Sequence, residues 1–573
     1  MPLYLCRAEA LLSSENALPR SYNTSYIQVE ASPWLQPSVI YHSSAHAMWP
    51  TGGGDPWPPA SVAGSVTAAL LIAAVIARFI IIPHLRSSSG INKPRQRGTP
   101  AASGGAAGSS GAARVPAGSL GWPVVGETPA FILAAYSARP ESFVERRRVL
   151  YGSKVFTSHL WGSPAVVSSD PEVSRAVLQA DASAFVPWYP RSLMELMGES
   201  SILVLGGALQ RRVHGLAGAF FKSPQLKARV TADMQRRVAA AMDAWRRDAG
   251  GAATVRVQDE AKSIVFEILV KALIGLDEGH EMQYLRQQFK EFIAGLISLP
   301  IKVPGTQLYR SLKAKKRMTK LIQKIIQEKR RKMVTECEDH PHVTTHHPRD
   351  MIDVLLGNGS DELTDELISD NMIDFMIPAE DSVPVLITLA VKYLSECPLA
   401  LQQLEEENME LKMRKSGMGE TLEWTDYMSL TFTQHVITET LRMGNIINGI
   451  MRKAVRDVEV RGHLIPKGWR VLVYFRAVHL DAAVHGDPHA FNPWRWTEKE
   501  RPDVATTGGG GSFTPFGGGQ RLCPGLDLAR LEASIFLHHL VTGFRWAAEE
   551  DAVVNFPTVR LRRGMPIAVT PRT

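Results

Sequence analysis

A cysteine in a glycine-rich run is where residue types and spacing first suggest chemistry. The run reads Phe516-Gly-Gly-Gly519-Gln-Arg521-Leu-Cys523-Pro-Gly525. Glycines let the backbone loop around a sulfur, so that amides can point at it. An apolar segment of helical period follows, with Leu526, Leu528, Ala529, Leu531, Ala533 and Ile535. The N-terminal dipole of that helix adds to the amides. Both stabilise a thiolate over a thiol, and the thiolate is the form that binds metal. Arg521 offers a permanent cation to an anionic group. The bland alternative is a surface loop with an inert, buried cysteine.

Other charged residues fall into pairs. Glu439 and Arg442 stand three apart in a helical pattern and share one face. Alone, such a pair is common and worth little. The segment Phe491-Asn-Pro493-Trp494-Arg495-Trp496 can supply a third partner, Arg495. A long helix is expected to start after Thr364, whose hydroxyl can cap the first turn, and to end before Pro398. Near its middle stands Pro378-Ala379-Glu380-Asp381-Ser382-Val383-Pro384. Proline removes a helical hydrogen bond and kinks the backbone. A kink there opens carbonyls and makes room for a ligand or water.

The spacing F-x-x-G-x-R-x-C-x-G resembles the haem-binding signature of the cytochrome P450 superfamily at every fixed position. The resemblance runs from Gly118 to the C-terminus. It implies a mainly α fold with small β-sheets. It also implies haem b, its iron held by Cys523, with Phe516, Gly519, Arg521 and Gly525 around it. A thiolate on haem iron pushes electron density onto bound oxygen and favours O–O cleavage. Glu439, Arg442 and Arg495 match the family's E-x-x-R helix and the meander that follows, a structural lock on the proximal side. Asp381 and Ser382 match the acid and alcohol that deliver protons above the haem. Here Pro378 and Ala379 replace the usual small pair, and serine replaces threonine, losing the methyl that restrains its rotamer. Gln210 and His214 stand where a tryptophan or histidine and an arginine often meet a haem propionate. A neutral histidine brings no charge to that position, and Arg452 is a further propionate candidate. Phe185, Trp188, Ile377, Ala379, Ile447 and Ile450 are expected to line the substrate cavity.

Four stretches look more narrowly like the plant brassinosteroid-synthesising branch. They are residues 118–128, Ser192-Leu-Met-Glu-Leu-Met-Gly198, Val303-Pro-Gly-Thr306 and the run from Phe513 to Gly525. Within that branch the sequence is most similar to the C-23 hydroxylases of steroids. The implied reaction is monooxygenation of a steroid by O2. NADPH supplies the electrons through a separate NADPH–cytochrome P450 reductase, because the sequence has no convincing dinucleotide or flavin motif of its own. Oxidation at C-3 or C-22, a haem-thiolate isomerase or dehydratase, and a non-catalytic steroid-binding haem protein stand as alternatives.

Composition sets the frame. Hydrophobic residues make up 45% and charged ones 21%, enough to bury a large core. The net charge of +7 is spread out, and no nucleic-acid motif accompanies it. Four scattered cysteines make no disulfide framework, which suggests a reducing compartment. The tract holding His340, His342, His346 and His347 reads as a polar loop between helices. Residues 60–83 read as a transmembrane anchor broken only by Arg78, long enough for a hydrocarbon core of roughly 30 Å. Arg86, Lys93, Arg95 and Arg97 then put the C-terminal side in the cytoplasm, as for an endoplasmic-reticulum enzyme. Residues 1–59 read as a disordered extension, with Met48 as an alternative start. Residues 84–117 read as a linker and 118–573 as the catalytic domain. Helical periodicity is expected to about residue 445, and strands at 458–460 and 470–474.

Overall fold

The computed structural model describes residues 113–248, 253–339, 348–359, 361–497, 512–556 and 558–572. The expected extension, membrane anchor, most of the linker and the histidine tract lie outside these residues. Among the described residues no single helix is long and apolar enough to cross a membrane.

The expected long helix forms the centre, and its prolines divide it. Thr364 caps it, the hydroxyl accepting the Leu367 amide at 3.2 Å. Asp365–Met376 is followed by a short turn of helix, Pro378–Asp381, and then by Val383–Glu396. Between the last two, Ser382 leaves the helical region (φ −124°, ψ −70°). Pro378 and Pro384 each lack the amide that would have continued the ladder. Almost every residue from Leu367 to Met376 is buried, so the helix threads the core. Val257–Ile274 packs along Val383–Glu396, and Pro224–Asp248 along Leu526–Gly543, the helix after the cysteine.

Small sheets flank the helices. The largest has five strands in the order Val155–Leu160, Ser163–Ser168, Arg470–Val473, Ile450–Ala454, Phe185–Pro187. All pairings are antiparallel except the one between the second and third strands, where Ala165 faces Arg470 in parallel register. Three of these strands lie in the stretch expected to be helical. Val155 and Val166 point into one apolar cluster, while Phe156, Leu160, Ala165 and Val167 point into another. With both faces buried, hydrophobicity does not alternate along the strand.

Candidate active site

The cysteine loop is a tight backbone structure. The Cys523 amide donates to the Phe516 carbonyl at 3.0 Å, and the Gly517 amide to the Thr514 carbonyl at 3.0 Å. Gly517 and Gly519 take left-handed φ of 76° and 64°. At Gly519 a Cβ would stand 2.2 Å from the Leu178 carbonyl oxygen, so the loop can lie against that segment only with glycine there. Two expected propionate contacts also brace the loop. His214 Nε2 donates to the Leu522 carbonyl at 2.8 Å, and Gln210 Nε2 to the Gln520 carbonyl at 3.4 Å. Both residues also line the cavity that holds Cys523, Arg452 and Arg521. The thiol departs from expectation. Burial pushes Cys523 up, with only the Gly525 amide pulling it down. A coordinated cation reverses that balance, because a metal-bound thiol is deprotonated outright.

Cys523, Phe516 and Gly525 open into one cavity with Arg452, Arg521 and Ser382. Its chemistry fits a flat, apolar macrocycle carrying carboxylates. The sulfur stands on one wall, with Leu528 and Ala529 beside it. A Cβ at Gly525 would meet no protein atom within 4 Å. Arg452 is 7% exposed. Arg521 donates to the carbonyls of Ile202 (3.0 Å), Leu203 (3.4 Å) and Leu205. Neither guanidinium has a carboxylate within ion-pair distance among the described residues. Arg452 is buried and Arg521 half-buried, and cations withdrawn from water without counter-charge are costly, so an anionic ligand would stabilise both. Ile447 and Ile450 line the cavity as expected. Four other expected contacts do not. Phe185 and Trp188 pack into the clusters on either side of the large sheet, and Arg470 stacks over the Trp188 ring at 3.7 Å. Ile377 and Ala379 turn into the main core, because the proline break rotates Pro378 and Ser382 to the cavity in their place.

Ser382 lines the cavity, and its expected partner Asp381, the preceding residue, does not. Burial raises the Asp381 carboxyl, with Lys262 and Arg560 opposing. Lys262 itself holds Glu380 at 2.5 Å.

The charged lock assembles fully. Glu439 holds Arg442 in a two-pronged pair (2.7 and 2.9 Å) and also takes Arg495 Nε at 3.0 Å. A histidine the sequence reading passed over ties this lock to the cysteine loop. His479 Nε2 accepts the Thr514 amide at 3.0 Å, so the proton sits on Nδ1 and faces Asn445 Oδ1 at 2.8 Å. Burial lowers its ionisation to about 3, so it stays neutral. His479→Ala leaves a buried amide unpaired, at a cost of about 1–3 kcal/mol. The variant should lose thiolate-type reduced-CO absorbance at lower temperature than the unaltered protein. Equal thermal loss would remove the positioning role.

Tyr189, in the same apolar stretch as Phe185 and Trp188, does line the cavity, and two further residues on its wall, Asp374 and Glu532, have no place in the sequence reading. Both sit in helices that carry other polar and charged residues, so nothing in the sequence singles them out. Burial pushes Glu532 up to about 8, and its Oε1 has no hydrogen-bond partner. The native protein then holds a proton that the unfolded one releases near its ordinary value of 4.5. Stability from this group is lost as pH rises through that window. Glu532→Gln should flatten the fall in melting temperature between about pH 5 and pH 8. Parallel profiles for the two proteins would show that Glu532 does not titrate there.

The sequence matches the family model for Cytochrome P450 over residues 116–563. The protein belongs to the cytochrome P450 family. It is 79% identical over 459 residues to Cytochrome P450 90D2 of Brachypodium distachyon, covering 80% of this protein and 88% of the relative. It is 56% identical over 454 residues to 3-epi-6-deoxocathasterone 23-monooxygenase CYP90D1 of Arabidopsis thaliana, covering 79% and 89%. Among solved structures, retinoic acid bound cyanobacterial CYP120A1 aligns with a TM-score of 0.67 at 22% identity, over 80% of this protein and all of that one. That likeness carries the fold. As a P450 the protein is a monooxygenase that uses haem held by a cysteine thiolate, O2 and a redox partner.

Proposed function

We propose that this P450 hydroxylates the side chain of a steroid at C-23, acting on 22-hydroxylated brassinosteroid precursors. The observation that carries the reading is the high identity to an Arabidopsis relative named as a 23-monooxygenase. The cavity agrees with it. Phe375, Val383, Leu386, Ile446, Ile447 and Ile450 make apolar walls suited to a steroid.

When bound on Cys523, haem supplies the oxygen-activating chemistry. Arg452 and Arg521 would hold its carboxylates. Ser382 offers a hydroxyl to the oxygen side of the cavity, and Asp381 passes protons to it from the side of Lys262 and Glu380. The reaction consumes one C–H bond, O2, NADPH and a proton. It yields a C–OH bond, water and NADP+. Electrons come from NADPH through a separate reductase. The enzyme sits on the cytoplasmic face of the endoplasmic reticulum, anchored by residues 60–83. Exposed apolar residues support a membrane contact: Trp122 is 78% exposed, Leu133 75% and Leu299 75%.

Two measurements test this. In microsomes with reductase and NADPH, 22-hydroxylated precursors should gain one oxygen at C-23, identified by mass spectrometry and NMR. Product at C-3 or C-22, or product without NADPH, would overturn the reading. Ser382→Ala should raise NADPH consumed per product by about 100-fold, the lower end of what one proton-transfer group contributes, while haem content holds. Unchanged coupling would remove Ser382 from the proton path.

A further inference from the structure

The cavity carries an acid that the oxygen chemistry does not use. Asp374 lies on Asp365–Met376, is 7% exposed, and lines the same cavity as Cys523 and Ser382. Its Oδ2 accepts the Ser201 hydroxyl at 2.5 Å. The nearest cation, Lys315, is committed elsewhere. It pairs with Asp370 at 2.9 Å and donates to the Met197 carbonyl at 2.7 Å. Asp374 has no ion pair among the described residues. Burial raises its ionisation to about 7, helped by the Asp370 charge and opposed by the Ser201 bond, the more distant Lys315 and the Ile202 amide. In its protonated form this carboxyl has an O–H to donate, and in either form it has oxygens that accept. In an apolar cavity such a group orients a ligand by its oxygen atoms.

Position narrows which oxygen. Asp374 and Ser382 stand eight residues apart on one interrupted helix, roughly 12 Å along its axis. That is close to the span from a ring-A substituent of a steroid to the middle of its side chain. A 22-hydroxyl is bonded next to C-23 and must stay beside Ser382 when C-23 does. Only an oxygen at the ring-A end can reach Asp374. The wall between them offers Phe375, Val383 and Leu386, which grip carbon but fix no register.

We propose that Asp374 is the anchor for a ring-A hydroxyl or keto oxygen of the substrate, and that its distance from Ser382 sets which carbon of the steroid is oxidised. This rests on the steroid reading above.

The test uses haem-loaded, full-length enzyme and two 22-hydroxysteroids that differ only in having or lacking the C-3 oxygen. Dissociation constants come from equilibrium dialysis, and the site of oxidation from product NMR. The unaltered enzyme should bind the C-3-oxygenated steroid about tenfold more tightly, as for one well-made hydrogen bond. Asp374→Leu should erase that preference and spread oxidation over neighbouring carbons. Asp374→Asn, which still donates, should keep part of it. Ser201→Ala removes only the internal bond and should keep the preference. A purely structural Asp374 would make Ser201→Ala and Asp374→Leu behave alike. Equal binding of both steroids by the unaltered enzyme, with oxidation still at C-23, overturns the anchor and leaves the steroid reading intact. That comparison decides the matter even if Asp374→Leu does not hold haem. Failure of the unaltered enzyme to bind either steroid overturns both readings.

Discussion

Cys523→Ala protein is expected to lose the long-wavelength Soret band of the reduced, CO-bound state and essentially all NADPH-dependent turnover. The change removes the sulfur and little else. The Cys523 amide bond to the Phe516 carbonyl, the Leu522 amide bond to Gly519 and the His214 contact are all made by backbone atoms of the loop, and alanine keeps them. Cys397 cannot substitute, because it is 3% exposed in the main core and does not line the cavity. The cavity wall also carries the His214 ring, and a haem held through nitrogen absorbs at shorter wavelength and lacks the electron push of a thiolate. Haem content, the CO difference spectrum and turnover should therefore separate. Some haem can remain between Arg452 and Arg521, but its spectrum should be that of a non-thiolate haem. A normal thiolate band in this variant would refute Cys523 as the iron ligand.

What could be read ahead of the structure divides along physical lines. Residues tied to local geometry were legible. Thr364 caps its helix through a bond three residues away, Pro378 and Pro384 break the helix where a missing amide requires it, and Gly519 stands where no Cβ fits. The Glu439 and Arg442 pair follows from helical spacing. Residues whose role depends on which way a distant segment turns were not. Phe185 and Trp188 are apolar neighbours of Tyr189, yet the edge strand sends them into the sheet's two clusters and leaves Tyr189 at the cavity. Ile377 and Ala379 were placed one step off, because the proline break changes the rotation per residue. His214 was read as facing a propionate, and it also bonds a carbonyl some three hundred residues later. The strands Val155–Leu160 and Ser163–Ser168 are buried on both faces and leave no alternating signal. His479 and Asp374 gain their meaning only from Thr514 and Ser201, which the fold brings from far along the sequence.

Glu439→Ala should be the most destabilising single substitution in the catalytic domain, and haem incorporation should fail with it. Both partners of the lock are fully buried, at 0% side-chain exposure. Glu439 accepts from Arg442 twice, and from the Asn492 amide (3.0 Å), Arg495 Nε (3.0 Å) and Trp496 Nε1 (3.0 Å). Arg442 spends its remaining donors on the carbonyls of His479 (3.1 Å), Pro488 (2.8 Å) and Ala490 (3.3 Å). Every polar atom is used, and these bonds fix the meander that leads to the cysteine loop. Removing the carboxylate leaves a buried guanidinium without its counter-charge, which costs about 3–5 kcal/mol. That is a large share of the roughly 5–15 kcal/mol by which a domain is typically stable. Glu439→Gln rescues little, since one amide oxygen cannot accept what two carboxylate oxygens did, and its NH2 faces Arg442 donors. Arg442→Lys keeps the charge but loses the planar fork. Arg495→Ala should be milder, at about 1.5–3 kcal/mol for hydrogen bonds to a charged group. Its side chain is 10% exposed, and Glu439 keeps Arg442 without it. The expected order of melting temperatures is therefore unaltered protein, then Arg495→Ala, then Arg442→Lys, then Glu439→Ala, with thiolate-type CO absorbance falling in step. A Glu439→Ala protein that melts above Arg495→Ala would show that the network's charge balance does not hold the proximal side together.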